Sequence, residues 1–172
     1  MFINLSRAPL CLAMWVFLAL LAVGAATSRA ESDAAQIEGA WMGTLTTTAP
    51  PLGPFTHLIT LIPNGGVVSS IRLYLPETPF GPILGTAGHG EWKEVGQREF
   101  QINFVSLVQG APDNANAKGV ELGTDNLSLR VTLNREGTEL NGFFQDAVID
   151  LEGNVVFAGE GTYHATRIRA AP

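Results

Sequence analysis

The sequence predicts an all-β fold, a single antiparallel barrel of eight to nine strands closed on itself. Three observations point there. After Gly39, apolar residues alternate with polar ones at a period of two, and no stretch keeps a helical period of 3.6. Turn-forming residues punctuate these runs at short intervals, which suits hairpins between antiparallel neighbours. Glycines recur inside the longer runs, where a coiled sheet bends and a side chain would crowd. A two-sheet sandwich is the alternative. The barrel, whose closure removes exposed edges, is favoured because long strands with interior glycines suit a coiled, bending sheet.

The N-terminal 30 residues are separate from this pattern. MFINLSR carries one positive charge at Arg7, an apolar run follows from Ala8 to Val23, and Ser28-Arg29-Ala30 fits a small-x-small cleavage rule. This reads as a secretory signal peptide, 1–30. The alternative is an uncleaved anchor, but the apolar run is shorter than the roughly 20 residues of a membrane span. The chain is therefore expected to be secreted or periplasmic, with no stable membrane span after cleavage. Residues 31–37 read as a short polar leader and 38–172 as the barrel domain.

Composition narrows the function. Removing Arg7 and Arg29 leaves eight basic residues against all sixteen acids, a net charge of −8. With no basic run, the domain is not expected to bind nucleic acid. Cys11 is the only cysteine, so the mature chain has neither a disulfide nor thiol chemistry. Its stability rests on a hydrophobic core.

The expected strands are 40–47, 56–62, 67–75, 88–94, 98–109, 117–123, 126–133, 139–150 and 154–169. In the third, Val67, Ile71, Leu73 and Leu75 alternate with Ser70, Arg72 and Tyr74. In the fifth, Phe100, Ile102, Phe104 and Val108 alternate with Gln101, Asn103 and Gln109. In the seventh, Leu127, Leu129, Val131 and Leu133 alternate with Ser128, Arg130, Thr132 and Asn134. Pro63-Asn64-Gly65-Gly66 is a hairpin signal because Asn and Gly tolerate positive φ; Asn134 to Gly137 and Glu152 to Asn154 read likewise. Longer connections span 48–54, 76–85 and 110–116. Gly85, Gly88 and Gly90 are expected to feed a loop into a bent strand, with Gly96 turning the chain toward Phe100. A phosphate loop is excluded, because no helix follows these glycines.

Glu38-Gly39-Ala40-Trp41 opens the first strand, and Thr166-Arg167-Ile168-Arg169 ends the last. A Gly-x-Trp on strand one facing an Arg from the final strand resembles the closure of lipocalins and their calycin relatives. The resemblance implies that Arg167 covers the Trp41 ring at the closed end, a cation–π contact. The run Trp92, Gly96, Phe100 is similar to barrels of the allene-oxide-cyclase type. The Thr-Asp-Tyr-like second lipocalin signature is absent, and no catalytic position of the cyclase family transfers to this chain.

Candidate chemistry is sparse. His57, His89 and His164 are the only histidines. His89 and Glu91 share a strand face, but with Trp92 inward both point out with Lys93, so no metal site is expected. There is no Gly-x-Ser-x-Gly elbow, and Ser69 and Ser70 lie within an alternating strand. Among the acids Glu91, Glu94, Asp146, Asp150 and Glu160, no spacing singles out a pair. Asp146 sits among Phe143, Phe144, Ala147 and Val148. It reads either as an outward carboxylate or as a half-buried one with a raised pKa.

The aromatics Trp41, Trp92, Phe100, Phe104, Phe144, Phe157 and Tyr163 fall in inward register, with the small residues Gly90, Ser106, Gly142, Gly159, Gly161 and Ala165 between them. Such an interior is either filled or holds one small ligand. The ligand reading names Trp41, Trp92, Phe104, Phe144, Tyr163 and Arg167 as the binding set for a small apolar or amphipathic molecule, with no cofactor or metal. A cofactor-free cyclase or isomerase with Tyr163, Arg167 or Asp146 as polar helpers is the second reading. A closed structural or partner-binding barrel is the third, and a homo-oligomer is compatible with all three. Asn126-Leu127-Ser128 is a glycosylation sequon on an expected strand.

Overall fold

The computed structural model of the chain describes residues 36–71 and 73–169. The expected signal peptide, most of the expected leader and Arg72 lie outside them. Nine strands follow one another: β1 (Gly39–Ala49), β2 (Phe55–Leu61), β3 (Gly66–Ile71), β4 (Tyr74–Leu75), β5 (Ile83–Gly96), β6 (Glu99–Gly110), β7 (Glu121–Leu133), β8 (Glu139–Asp150) and β9 (Val155–Arg167). They form one sheet in the order β3-β2-β1-β9-β8-β7-β6-β5-β4, and β3 also pairs with β5. That last pairing, Gly66↔Glu91 to Ser69↔Gly88, closes an eight-stranded antiparallel ring. The two-residue β4 hangs on the early half of β5 as an extra strand.

Alternation then decides what is inside. Trp41, Phe100, Ile102, Leu129, Leu133, Leu140 and Tyr163 are buried, while their strand neighbours face water. The inward register expected for the aromatics is observed, with Phe157 half-buried. Phe144 points in and its neighbour Phe143 points out, 69% exposed. His89, Glu91 and Lys93 lie outside, as the parity of Trp92 requires.

Three boundaries differ from expectation. The runs 117–123 and 126–133 belong to one strand, β7; 117–120 is a turn. Thr124-Asp125 looks like a break because Asp favours turns, yet Asp125 pairs in register with Ser106 and Val148. The expected strand 67–75 divides into β3 and β4, which meet different parts of β5. And β5 starts at Ile83, so the last three residues of the expected loop 76–85 are strand. The hairpin signals fared better: Asn64 and Gly65 take φ of 68° and 95°, and Gly137 and Gly153 are also left-handed. At the β5–β6 turn, however, the left-handed residue is Arg98, not Gly96.

Gly90 and Gly142 show why glycine recurs inside long strands. A Cβ on Gly90 would lie 1.9 Å from the Asn103 carbonyl oxygen, and one on Gly142 2.0 Å from that of Arg130. At these points the coiling sheet brings backbone against backbone, leaving no room for even a methyl group.

One end of the barrel is sealed. The Arg167 guanidinium lies 4.2 Å from the Trp41 ring centroid. It also donates to the carbonyls of Gly137 (2.7 Å), Glu38 (2.6 Å) and Gln36. The Trp41 indole donates to Ile37, itself fully buried. Trp92 packs edge-on to Phe100 nearby and donates to Ile62. Arg167→Ala removes the cation–π contact and three donors at once, so urea unfolding should show a loss of about 2 kcal/mol or more. Arg167→Lys, which keeps the charge without the fork, should recover less than half of that.

Candidate functional site

Alternation that buries apolar side chains also buries whatever polar ones share their phase. Ser69 on β3, Gly88 on β5, Ser106 on β6 and Asp125 on β7 are successive cross-strand partners. Asp146 on β8 stands diagonally beside Asp125, two residues from its partner Val148. Together with His57 on β2 and Thr47 on β1 they make a polar belt inside an otherwise apolar barrel. Ser69, His57, Ser106, Asp125 and Thr47 are all buried, and Asp146 is half-buried.

The belt is incompletely satisfied. The Ser69 hydroxyl and His57 Nε2 are 2.9 Å apart, but His57 Nδ1 has no partner. The Ser106 hydroxyl donates a long 3.5 Å bond to Asp125 Oδ2, while Asp125 Oδ1 has none. Asp146 Oδ1 and the Tyr163 hydroxyl are likewise buried and unpartnered. Tyr163 rests over Gly43, where a Cβ would approach its ring and hydroxyl to 2.8 Å. Tyr163 and Phe104 both pack against the His57 ring, tilted, each centroid 5.5 Å away.

Burial sets the charge states. Loss of water holds His57 neutral, its pKa lowered to about 4. It pushes the Asp125 carboxyl up to about 6 against the opposing Ser106 hydrogen bond. Asp146 rises to about 7, from burial first and then from the neighbouring Asp125 charge. Tyr163 is raised by burial.

The two carboxyls stand in a chamber at the loop end of the barrel, opposite the Trp41–Arg167 seal. Leu45, Leu127, Phe144 and Phe157 form its wall, and Leu52, Phe55, Ile71, Leu73 and Leu75 cover it. The free space is narrow: the centre of a water-sized sphere ranges over only about 10 Å³. That is close to the least room one water needs. The cover has two differently held parts. The Thr47 hydroxyl grips the 50–54 loop by donating to the Leu52 carbonyl and accepting from its N–H, both at 2.8 Å. On the other side, Tyr74 donates to Asp113 (2.7 Å) and Asn114 ties Phe80 and Pro82 to its own loop.

The residues read from sequence therefore separate. Phe144 and Asp146 line the chamber. Trp41, Trp92 and Arg167 belong to the sealed end, and Phe104 and Tyr163 lie between, around His57. Arg167 points away from the chamber, not into it. Sequence reasoning passed over His57, Ser69, Ser106 and Asp125 as site residues. Their phase with Ile59, Val67, Phe104 and Leu127 was the signal that could have found them. The described residues hold no cluster of three or more metal-ligating side chains, and none of their helices is long and apolar enough to cross a membrane. Larger depressions around Phe143 and Arg130 lie on the outer wall, open to solvent.

No family model matches the chain, and no curated protein matches it. Among solved structures, a redesigned β-barrel is similar at 14% identity over 79% of this chain and 95% of that one, with a TM-score of 0.42. A likeness so distant carries no argument about the site.

The buried carboxyls make stability depend on pH in a definite direction. Their folded pKa values exceed the ordinary 3.8, so the folded chain holds their protons more tightly than the unfolded one. That contribution is complete below about pH 4 and is lost as pH rises through 6 to 7. His57 acts oppositely: its contribution is present above 6.5 and is lost as pH falls toward 4. Asp146→Asn removes one acid only. Calorimetry should show its melting temperature raised by several degrees at pH 8, with little change near pH 4. An equal gain at both values would contradict the burial argument.

Proposed function

We propose that the chain is an exported, cofactor-free small-molecule-binding barrel of lipocalin-like architecture that takes an apolar or amphipathic guest into the loop-end chamber. The observation that carries this reading is the unpartnered polar set inside an apolar barrel. Each buried donor or acceptor without a partner costs roughly 1–3 kcal/mol. A closed structural barrel gains nothing by keeping four such atoms on inward positions of β2, β7, β8 and β9. A ligand site needs a few polar groups converging in an apolar lining, and two of the four, on Asp125 and Asp146, line the chamber.

Entry requires the cover to give way. Leu52, Leu73 and Leu75 plug the chamber from short segments, and β4 contributes only two residues of pairing. Displacing them exposes apolar surface that the guest's own apolar surface covers again, at about 25 cal/mol per Å². The exchange is nearly even, so the polar contacts decide which guest stays. The same plug supports the cyclase or isomerase reading as the second one. Asp146, near half-protonated at neutral pH on the chamber wall, has the pKa of a general acid–base group.

Native mass spectrometry of the chain purified from its own host should show a retained guest mass that disappears on denaturation. Leu52→Ala, which thins the plug, should strengthen uptake of the fluorescent apolar probe N-phenyl-1-naphthylamine several-fold. A chain with no guest mass, and no probe uptake with or without the Leu52 side chain, would sink the binding reading.

A further inference from the structure

Resting on the binding reading, we infer that the guest's head group is a cation, an ammonium carried on an apolar body, held between Asp125 and Asp146. The two carboxyls lie side by side on the inner faces of β7 and β8 and both line the chamber. Each presents a buried oxygen, Asp125 Oδ1 and Asp146 Oδ1, that no group among the described residues satisfies. Asp125 is only 2% exposed, so its free oxygen is directed inside the barrel and not to bulk water.

Both unsatisfied atoms are acceptors once the acids ionise, and an ammonium supplies three donors with no acceptor of its own. A carboxylate or phosphate head would meet like charge. An alcohol offers one donor and leaves the second oxygen unmatched. A divalent metal would want more ligands than two carboxylates, and the described residues provide no third His, Cys, Asp or Glu beside them. Among the described residues the surroundings offer no competitor. Thr47 on β1 is the other polar side chain lining the chamber, and its hydroxyl is engaged by Leu52. Ser106 on β6 donates to Asp125. The remaining lining from β9, β3, β4 and the 50–55 segment is apolar, and none of the described lining residues is basic. A charged pair buried together is favourable only when geometry and hydrogen bonds are good, and removing one member is then costly.

Burial raises both carboxyls toward neutrality without a guest, so an ammonium must draw protons out of the pair. Binding should therefore strengthen as pH rises from 5 to 8, where an alkylamine stays protonated throughout.

The test titrates the chain with octylamine, 1-octanol and octanoate by calorimetry at pH 5 and pH 8. Octylamine should bind at least ten-fold more tightly than 1-octanol at pH 8, and octanoate not at all. Asp125→Asn and Asp146→Asn should each reduce octylamine affinity ten-fold or more and 1-octanol affinity by no more than about two-fold, with circular dichroism checking the fold. Equal affinity for amine and alcohol overturns the cationic head but keeps the binding barrel; no binding of any of the three overturns both. Arg72, adjacent in sequence to the lining residues Ile71 and Leu73, lies outside the described residues, so Arg72→Gln belongs in the series. Unchanged amine selectivity in that variant supports the assignment. Amine binding that appears only when Arg72 is replaced gives the carboxyls to the chain's own arginine and overturns it.

Discussion

Pairing of every ring strand on both edges is the constraint from which the rest of this structure follows. Once β3 meets β5 the eight-stranded ring has no free edge, and no ring strand can slip by one residue without turning its whole inner set outward. The two-residue period then places side chains without regard to their chemistry. Leu127 and Leu129 come in, and so does Asp125; Ile59 and Leu61 come in, and so does His57. A polar residue in the inward phase must find a partner, lose its charge or leave the ring unstable.

The barrel handles this differently at its two ends. At the sealed end the polar groups are matched: Arg167 finds three carbonyls and an aromatic face, and both indoles donate to carbonyls. In the belt and at the loop end four buried polar atoms, on His57, Asp125, Asp146 and Tyr163, are not. Neutralisation substitutes for pairing there, with His57 unprotonated and two carboxyls raised toward neutral pH. One chain thus carries a well-satisfied half and an under-satisfied half in a single continuous sheet. Departures from full satisfaction gather where function is expected, since a fold can bear a few at a site and not throughout.

The sequence made one part of this legible and hid another for identifiable reasons. Phase alone assigned Trp41, Phe100, Phe104, Phe144 and Tyr163 to the interior, and turn chemistry located the hairpins at Asn64-Gly65, Gly137 and Gly153. Those signals are local, and β-structure with short loops is mostly local along each hairpin. The belt is not. β2 reads Phe-Thr-His-Leu-Ile-Thr-Leu, where the outward Leu58 and inward His57 invert the usual pattern, so neither face announces itself. Asp125 was hidden by its neighbours Gly123, Thr124 and Asn126, which imitate a turn until Ser106 and Val148 are seen on either side. The pairing of Asp125 with Asp146 needs the β7–β8 register, which no spacing within either strand contains.

Asp146 shows how that register turns an ordinary residue into a distinctive one. Its parity with Phe144 and Val148 brings it inward, and the burial that follows is the larger cause of its raised pKa. The Asp125 charge raises it further, and only the hydrogen-bonded path from Thr124↔Ile149 to Leu127↔Asp146 sets the two acids next to each other. A one-residue deletion in the β7–β8 hairpin would keep both sequences intact and separate the pair. Chemistry at this end therefore resides in the alignment of two strands: burial raises both acids, and the Asp125 charge adds to the rise of Asp146.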